Sequence, residues 1–336
     1  MQQSLIFFGS DHYSAVALSA LLASGLYPLS SLTVVTDHHQ GGSPVEQLAL
    51  SHGLKPTYYP TTPEEKSKFI LHLESISSLL ESGTPPLGLC ASFDHLIPQD
   101  IIKFFGGNLY NLHPSLLPQY RNVSPVQYAI ALGDTETGIT LFRIAPTIDD
   151  GEIIAQVQEA ILPTDTTSTL TPRLFQLGAE LFLSSIKNNF IPSGILENRD
   201  TRKLIYTHRL TRDSGYIEWS VLHKLLKNEP VSSEETKNEL LSLRLSERPL
   251  LKRNSRLQVE KGSSADERRV LEGPRLLSDL LRALSPWPGI WSTIPTKKGN
   301  LRISIVPVDI QYSVFCVLIS GKPKAITYAD FTKYYL

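Results

Sequence analysis

Apolar positions along the first half of this chain follow two rhythms. Short apolar runs, "SLIFFG" (4–9), "SLTVVT" (31–36), "PTYYP" (56–60) and "PLGLCASF" (86–93), read as strands. Between them lie stretches with apolar residues at helical spacing: 13–25, 43–53 and 63–82. The second opens on Ser-Pro, and the first two stop at Gly, as helices tend to. Strand and helix in alternation predict a parallel, doubly wound sheet. Ligands of such sheets bind beyond the carboxyl ends of the strands, so the loops after Phe93 and Tyr110 become candidates.

The pattern continues with a helix over about 124–132, a strand over 138–145, a loop over 146–152, a strand over 153–161 and a helix over about 167–188. Turn formers then dominate, so a first domain over 1–187 and a linker over 188–207 are expected. In the second domain, 208–336, a short helix (216–228) precedes four closely spaced strands, the pattern of a small barrel. Residues 228–275 are polar and charged and read as an elaboration on it.

Composition adds little until charge is split along the chain. A length of 336 residues and 41% apolar content suit two globular domains. No apolar run is long enough to span a bilayer, so no membrane partner is expected. The opening "MQQSLIFFGSDHYS" reads as a first strand, and no targeting segment is expected within it. Cys90 and Cys316, far apart in apolar surroundings, read as buried free thiols in a reducing compartment. Residues 1–200 hold 9 Lys+Arg against 19 Asp+Glu, a net −10, while 201–336 hold 23 against 14, a net +9. A basic second half points to a polyanionic partner; a domain that is basic without one is the alternative.

The chemistry concentrates in "NLHPSLLPQYRNVSP" (111–125). Prolines at 114, 118 and 125 bar a helix and stiffen the loop. Asn111 offers an amide donor and His113 a group that titrates near neutral pH, a pairing suited to an oxyanion forming on a carbonyl. A purely structural loop, with both side chains bonded to backbone, is the alternative. "IDDGEIIAQ" places Asp149 in another strand-end loop, and a carboxylate beside an imidazole favours the charged ring. No serine or cysteine nucleophile accompanies them, so the attacking group belongs to a substrate. Spacing alone does not show that His113 and Asp149 meet.

The 111–125 stretch, followed by "GDTETGITLFRIAPTIDDGEII", resembles the signature of the folate-dependent formyltransferases. "FFGSDHYS", "SPVEQLA", "YIEWS" and "LRALSPWPGIWS" narrow the resemblance to the branch acting on methionyl-tRNA. It implies an α/β fold: a Rossmann-like formyltransferase domain with a mostly parallel sheet, and a C-terminal OB-like β-barrel that contacts tRNA. It implies 10-formyltetrahydrofolate as co-substrate, initiator methionyl-tRNA as acceptor, no metal, and a monomer. By motif position, Asn111 and His113 would polarise the formyl oxygen and Asp149 would orient His113. The pterin would lie along Ala91, Ser92 and Phe93 and along Thr147, Ile148 and Asp149, with Phe93 and Leu96 against its flat faces; the alternative is a plain core strand end. Ser115 would bond loop backbone or touch substrate, and Arg121 would hold a phosphate or brace the loop. Lys297, Lys298 and Arg302 would contact tRNA backbone.

Two departures from the family pattern stand out. The loop after the second strand is only "DHHQGG" (37–42), without the Arg and Lys residues that relatives carry there; His38 and His39 in it read as solvated, with no carboxylate partner. "YRNVSP" has Asn122 and Val123 where Gly and a small residue are usual, and Val resists the backbone angles Gly permits. These point to a divergent, mitochondrial-type member, in the matrix if eukaryotic and in the cytoplasm if bacterial. Two other functions remain: formyl transfer to a nucleotide-linked amino sugar, and a catalytically dead folate- or RNA-binding protein. The basic second half disfavours the first, and the intact Asn111, His113 and Asp149 the second. Trp287, between two prolines, reads as a barrel wedge.

Overall fold

The computed structural model describes residues 3–78, 85–192, 204–227, 229–245, 273–296, 299–307, 315–319 and 326–335. Two strands set its centre. β1 (Leu5–Phe8) and β4 (Leu87–Ala91) read LIFF and LGLCA, and every residue of both is buried. Unbroken apolar runs, in place of alternation, mark strands covered on both faces. β1 pairs in parallel with β4 on one side and with β2 (Leu32–Thr36) on the other. β2 continues to β3 (Thr57–Tyr58), and β4 to β5 (Leu109–His113), also in parallel. β5 then pairs antiparallel with β7 (Glu136–Arg143), and β8 (Ile153–Ala160) closes the sheet in the order β3-β2-β1-β4-β5-β7-β8. Chain order reverses between β1 and β4, which opens a crevice at their carboxyl ends.

Helices start where the sequence places caps. α1 (His12–Ala23) begins at Asp11, whose carboxylate accepts from the Ser14 N–H at 2.8 Å. α2 (Pro44–Ser51) carries a full capping box: Ser43 Oγ accepts from Glu46 N–H, and the Glu46 carboxylate accepts from Ser43 N–H. Such a cap stabilises a helix by about 1 kcal/mol. α3 (Pro63–Ser78) and α4 (Gln99–Phe104) follow. Phe69 and Leu73 of α3, Ile101 of α4 and Phe105 pack with Ile6, Phe8, Val35, Tyr59, Cys90 and Leu109 into one buried cluster. Each large side chain so buried contributes about 1.5–3 kcal/mol.

Contacts divide the chain differently from the expected break after residue 187. One unit comprises Met1–Asn122, Thr137–Glu159 and Thr171–Tyr206; the other takes Val123–Glu136 and Ala160–Leu170 as well as Thr207–Leu336. The physical reason lies in α5 (Pro125–Ala131), whose residues are all buried apart from half-buried Gln127. α5 packs with α9 (Gly273–Ala283), and Tyr128 donates to Glu239 at 2.6 Å at the start of α8 (Glu239–Leu245). Thr167, at the start of α6 (Thr167–Lys187), donates to the Ala283 carbonyl at 2.6 Å, and Arg282 donates to the Asp165 carbonyl at 2.8 Å. Arg282 also meets the buried Asp279 at 2.5 Å, with Arg275 and Arg244 at 3.6 and 3.7 Å. Burial pushes the Asp279 carboxyl up, against the pull of the three guanidinium groups.

The second unit also holds α7 (Trp219–Leu226), α10 (Tyr328–Tyr335) and a small antiparallel sheet. Its order is β10 (Ile290–Thr296), β11 (Gly299–Pro307), β12 (Phe315–Ile319) and β13 (Ile326–Thr327), a barrel-like element of the expected class. Of the 228–275 elaboration, α8 is described and 246–272 lie outside the described residues. Trp287 is not a wedge: it is 58% exposed. Both cysteines are free, but only Cys90 is buried, because Cys316 sits on a strand whose side chains alternate between inside and outside.

Candidate active site

β5, beside the central β4, delivers Asn111 and His113 toward its carboxyl end. Residues two apart on a strand share a face, so both side chains point the same way. Asn111 pairs through its backbone with Cys90 of β4 and Phe142 of β7. Its amide is half-buried and makes no side-chain hydrogen bond to any described residue. His113 is 4% exposed, and its Nε2 lies 2.8 Å from the Tyr120 carbonyl. A carbonyl only accepts, so that nitrogen carries the proton. Nδ1 faces Asp149 Oδ2 at 3.6 Å, longer than a direct hydrogen bond but within ion-pair reach.

The proline-rich loop is rigid for reasons that can be traced atom by atom. Ser115, wholly buried, donates to the Gln119 carbonyl at 2.7 Å. Thr140 of β7 donates to the Ser115 carbonyl at 2.6 Å and accepts from Leu117 N–H at 3.1 Å and from Gln156 Nε2 at 2.7 Å. Gln156 of β8 donates as well to the Leu117 carbonyl at 3.0 Å. One donor and two acceptor sites of the threonine hydroxyl are thereby filled. Of the two roles open to Ser115, the structure gives it the loop.

Asp149 adopts a left-handed φ of +50°, and its Oδ2 accepts from Asn122 N–H at 2.7 Å. Gly151 follows because the chain passes too close for a side chain: a Cβ there would lie 1.7 Å from the Arg143 carbonyl oxygen. The facing loop is equally constrained, with φ of +58° at Tyr120, +85° at Asn122 and +69° at Ser124. Asn tolerates that region better than most residues. Asn122 and Ser124 therefore carry the turn, and Val123 does not have to. Arg121 sits between Tyr120 and Asn122, with Nη2 2.6 Å from Asp150 Oδ1 and its N–H donating to the Ile205 carbonyl at 3.0 Å. Arg121–Asn122 (β6) and Tyr206–Thr207 (β9) form a two-stranded ribbon.

The expected folate segments flank β5. Ala91 is buried at the end of β4, and Ser92 turns left-handed at +45° and donates to Asp11 Oδ2 at 2.6 Å. Phe93 is half-buried against Phe8, Tyr59 and His95. Leu96 is 75% exposed and Ile148 49%, with Thr147 exposed beside it. His39 does have a carboxylate nearby: Asp37 takes His95 Nε2 at 2.6 Å and lies 3.9 Å from His39 Nε2. His38 and His39 are both exposed, as the solvated reading expected, but the carboxylate it denied them is Asp37 of the same loop; the Asp37–His95 pair joins two strand ends distant in sequence. Arg302 lies over the Trp291 ring at 4.0 Å, a cation–π contact. Lys297 and Lys298 lie outside the described residues.

Fold and site together describe an α/β protein of the group-transfer class, with Asn111, His113 and Asp149 gathered at the carboxyl ends of a switched sheet. A model of the formyl transferase family matches residues 33–186. A methionyl-tRNA formyltransferase of Chloroflexus aggregans is 32% identical over 65% of this chain and 69% of its own length. One from Roseiflexus castenholzii is 30% identical over 66% and 69%. The crystal structure of an N-formyltransferase from Helicobacter canadensis, in complex with folinic acid and dTDP-3-aminofucose, shares the fold: TM-score 0.50, 15% identity, 92% of this chain and 90% of that one covered. The chain belongs to the formyltransferase family, in the company of the methionyl-tRNA formyltransferases.

Proposed function

We propose that this enzyme moves the formyl group of 10-formyltetrahydrofolate to the α-amino group of methionine carried on initiator tRNA. The amine lone pair attacks the formyl carbon, and the carbonyl electron pair moves onto oxygen. The intermediate collapses by breaking the bond from that carbon to N10 of the folate. N10 gains a proton, and the amine nitrogen loses one.

The observation that carries the reading is the meeting of His113 and Asp149 at 3.6 Å beside Asn111. The free Asn111 amide is the donor for the developing oxyanion. His113 is held by Tyr120 through Nε2, which leaves Nδ1 as the ring atom for the substrate side. Asp149 stabilises a proton arriving at Nδ1 and, across a water, passes protons from the attacking amine. Removing one such donor typically raises the barrier by about 2.7–4 kcal/mol. Ala91 to Phe93 and Thr147 to Asp149 bind the pterin through backbone groups. The +9 second half binds the tRNA, and the matrix of mitochondria is the proposed compartment.

The test is a panel of acceptors with the folate donor. Formylmethionyl-tRNA should form from charged initiator tRNA, and a nucleotide-linked amino sugar should remain unmodified. A faster reaction with the amino sugar would replace the proposed acceptor.

A further inference from the structure

Two parallel links join the loop after the proline-rich stretch to the loop bearing Asp149. Asn122 N–H donates to Asp149 Oδ2 at 2.7 Å. One residue away on each side, Arg121 Nη2 meets Asp150 Oδ1 at 2.6 Å. Both loops hold non-glycine residues in left-handed backbone: Tyr120, Asn122 and Asp149. Such backbone persists only where surrounding contacts over-determine it. Arg121 stands between the two main-chain groups that matter most. The Tyr120 carbonyl before it accepts from His113, and the Asn122 N–H after it holds Asp149. The Arg121 N–H is itself fixed to the Ile205 carbonyl.

We propose that Arg121 is a positioning residue for the His113–Asp149 pair, acting through its ion pair with Asp150, and not a phosphate ligand. The proposal rests on the catalytic reading of His113 and Asp149 given above. A side chain reaching for phosphate presents its guanidinium to solvent, whereas that of Arg121 is 18% exposed and committed to a carboxylate. Asp150 is 47% exposed, so the pair is only partly screened. What the pair contributes is placement: a shift of an ångström at reacting groups can cost on the order of a hundredfold in rate.

The experiment compares Arg121→Gln, Asp150→Asn and the double variant in the full chain, with kcat and KM measured for both substrates. Each single change should lower kcat by roughly five- to tenfold and leave both KM values within about twofold, and the double variant should be no worse than the poorer single. Arg121→Lys, which keeps the charge, should recover most of the turnover. If Arg121→Gln instead raises KM for methionyl-tRNA at unchanged kcat while Asp150→Asn does nothing, Arg121 is a phosphate ligand and the proposal is overturned. Multiplying losses in the double variant overturn it as well. In a His113→Ala background neither change should cost anything further. Full turnover of His113→Ala alone would sink the underlying catalytic reading, whereas normal kcat in both single variants beside a crippled His113→Ala would sink this proposal only.

Discussion

Consider replacing Asp149 with Asn. The substitution is nearly isosteric and keeps an oxygen that can accept from Asn122 N–H, so the link between the two loops survives. What it removes is a negative charge 3.6 Å from His113 Nδ1. At that separation a unit-charge pair interacts by about 1 kcal/mol in bulk water and about 5 kcal/mol at an effective dielectric near 20. The Asp149 and His113 side chains are 11% and 5% exposed, which favours the upper part of the range. A loss of about 3 kcal/mol corresponds to roughly a hundredfold in rate. Steady-state formylation should therefore show kcat down by at least about a hundredfold, KM for both substrates little changed, and a melting temperature close to that of the parent. A variant with near-normal kcat would refute the electrostatic role of Asp149. A variant that loses activity only because it has unfolded would say nothing for that role, and the melting curve exposes that case.

Three further outcomes follow from the same contacts. Asn111→Ala should lower kcat by about a hundred- to a thousandfold with stability nearly intact, since its amide bonds no described residue; steady-state kinetics beside a thermal melt checks both halves. Thr140→Val leaves the Ser115 carbonyl, Leu117 N–H and Gln156 amide without their shared partner; it should cost about 1–3 kcal/mol in denaturant melts and slow turnover through the loosened loop. Asp279→Ala leaves the buried Arg282 and Arg244 charges without the carboxylate they share, although Arg282 keeps its bond to the Asp165 carbonyl, and should destabilise the fold by about 3–5 kcal/mol, read from denaturant midpoints. Because burial holds the Asp279 carboxyl above the 3.8 of an ordinary aspartate, its part of the stability is greatest at acid pH and declines as pH rises through the folded-state value; Asp279→Asn should flatten that decline.

Much of this fold was legible because it rests on local signals. LIFF and LGLCA announced buried parallel strands, and Ser43 and Pro44 announced the start of α2. Asn111, His113 and Asp149 stood out as chemistry on strand ends. The antiparallel direction of β7 was not legible, since an apolar strand reads alike in both directions. Nor was the transfer of α5 to the second unit, which depends on α9, Tyr128 and Glu239 meeting across more than a hundred residues. Thr140 lay within a recognised motif, but its duty as a loop staple needed Gln156, a half-buried glutamine that nothing in the local pattern distinguishes. The same holds for Asp37 and His95, and for Arg121 and Asp150. Each pair joins two loops by long-range geometry that periodicity does not encode.

The most direct measurement is single-turnover transfer of isotopically labelled formyl from 10-formyltetrahydrofolate to methionyl initiator tRNA, run on the parent enzyme and on His113→Ala at saturating substrate. The account requires label in formylmethionine with the parent, and a rate at least about a hundredfold lower in the variant with folate binding preserved. Equal rates in the two proteins, or no transfer by a parent that binds the folate, would contradict it.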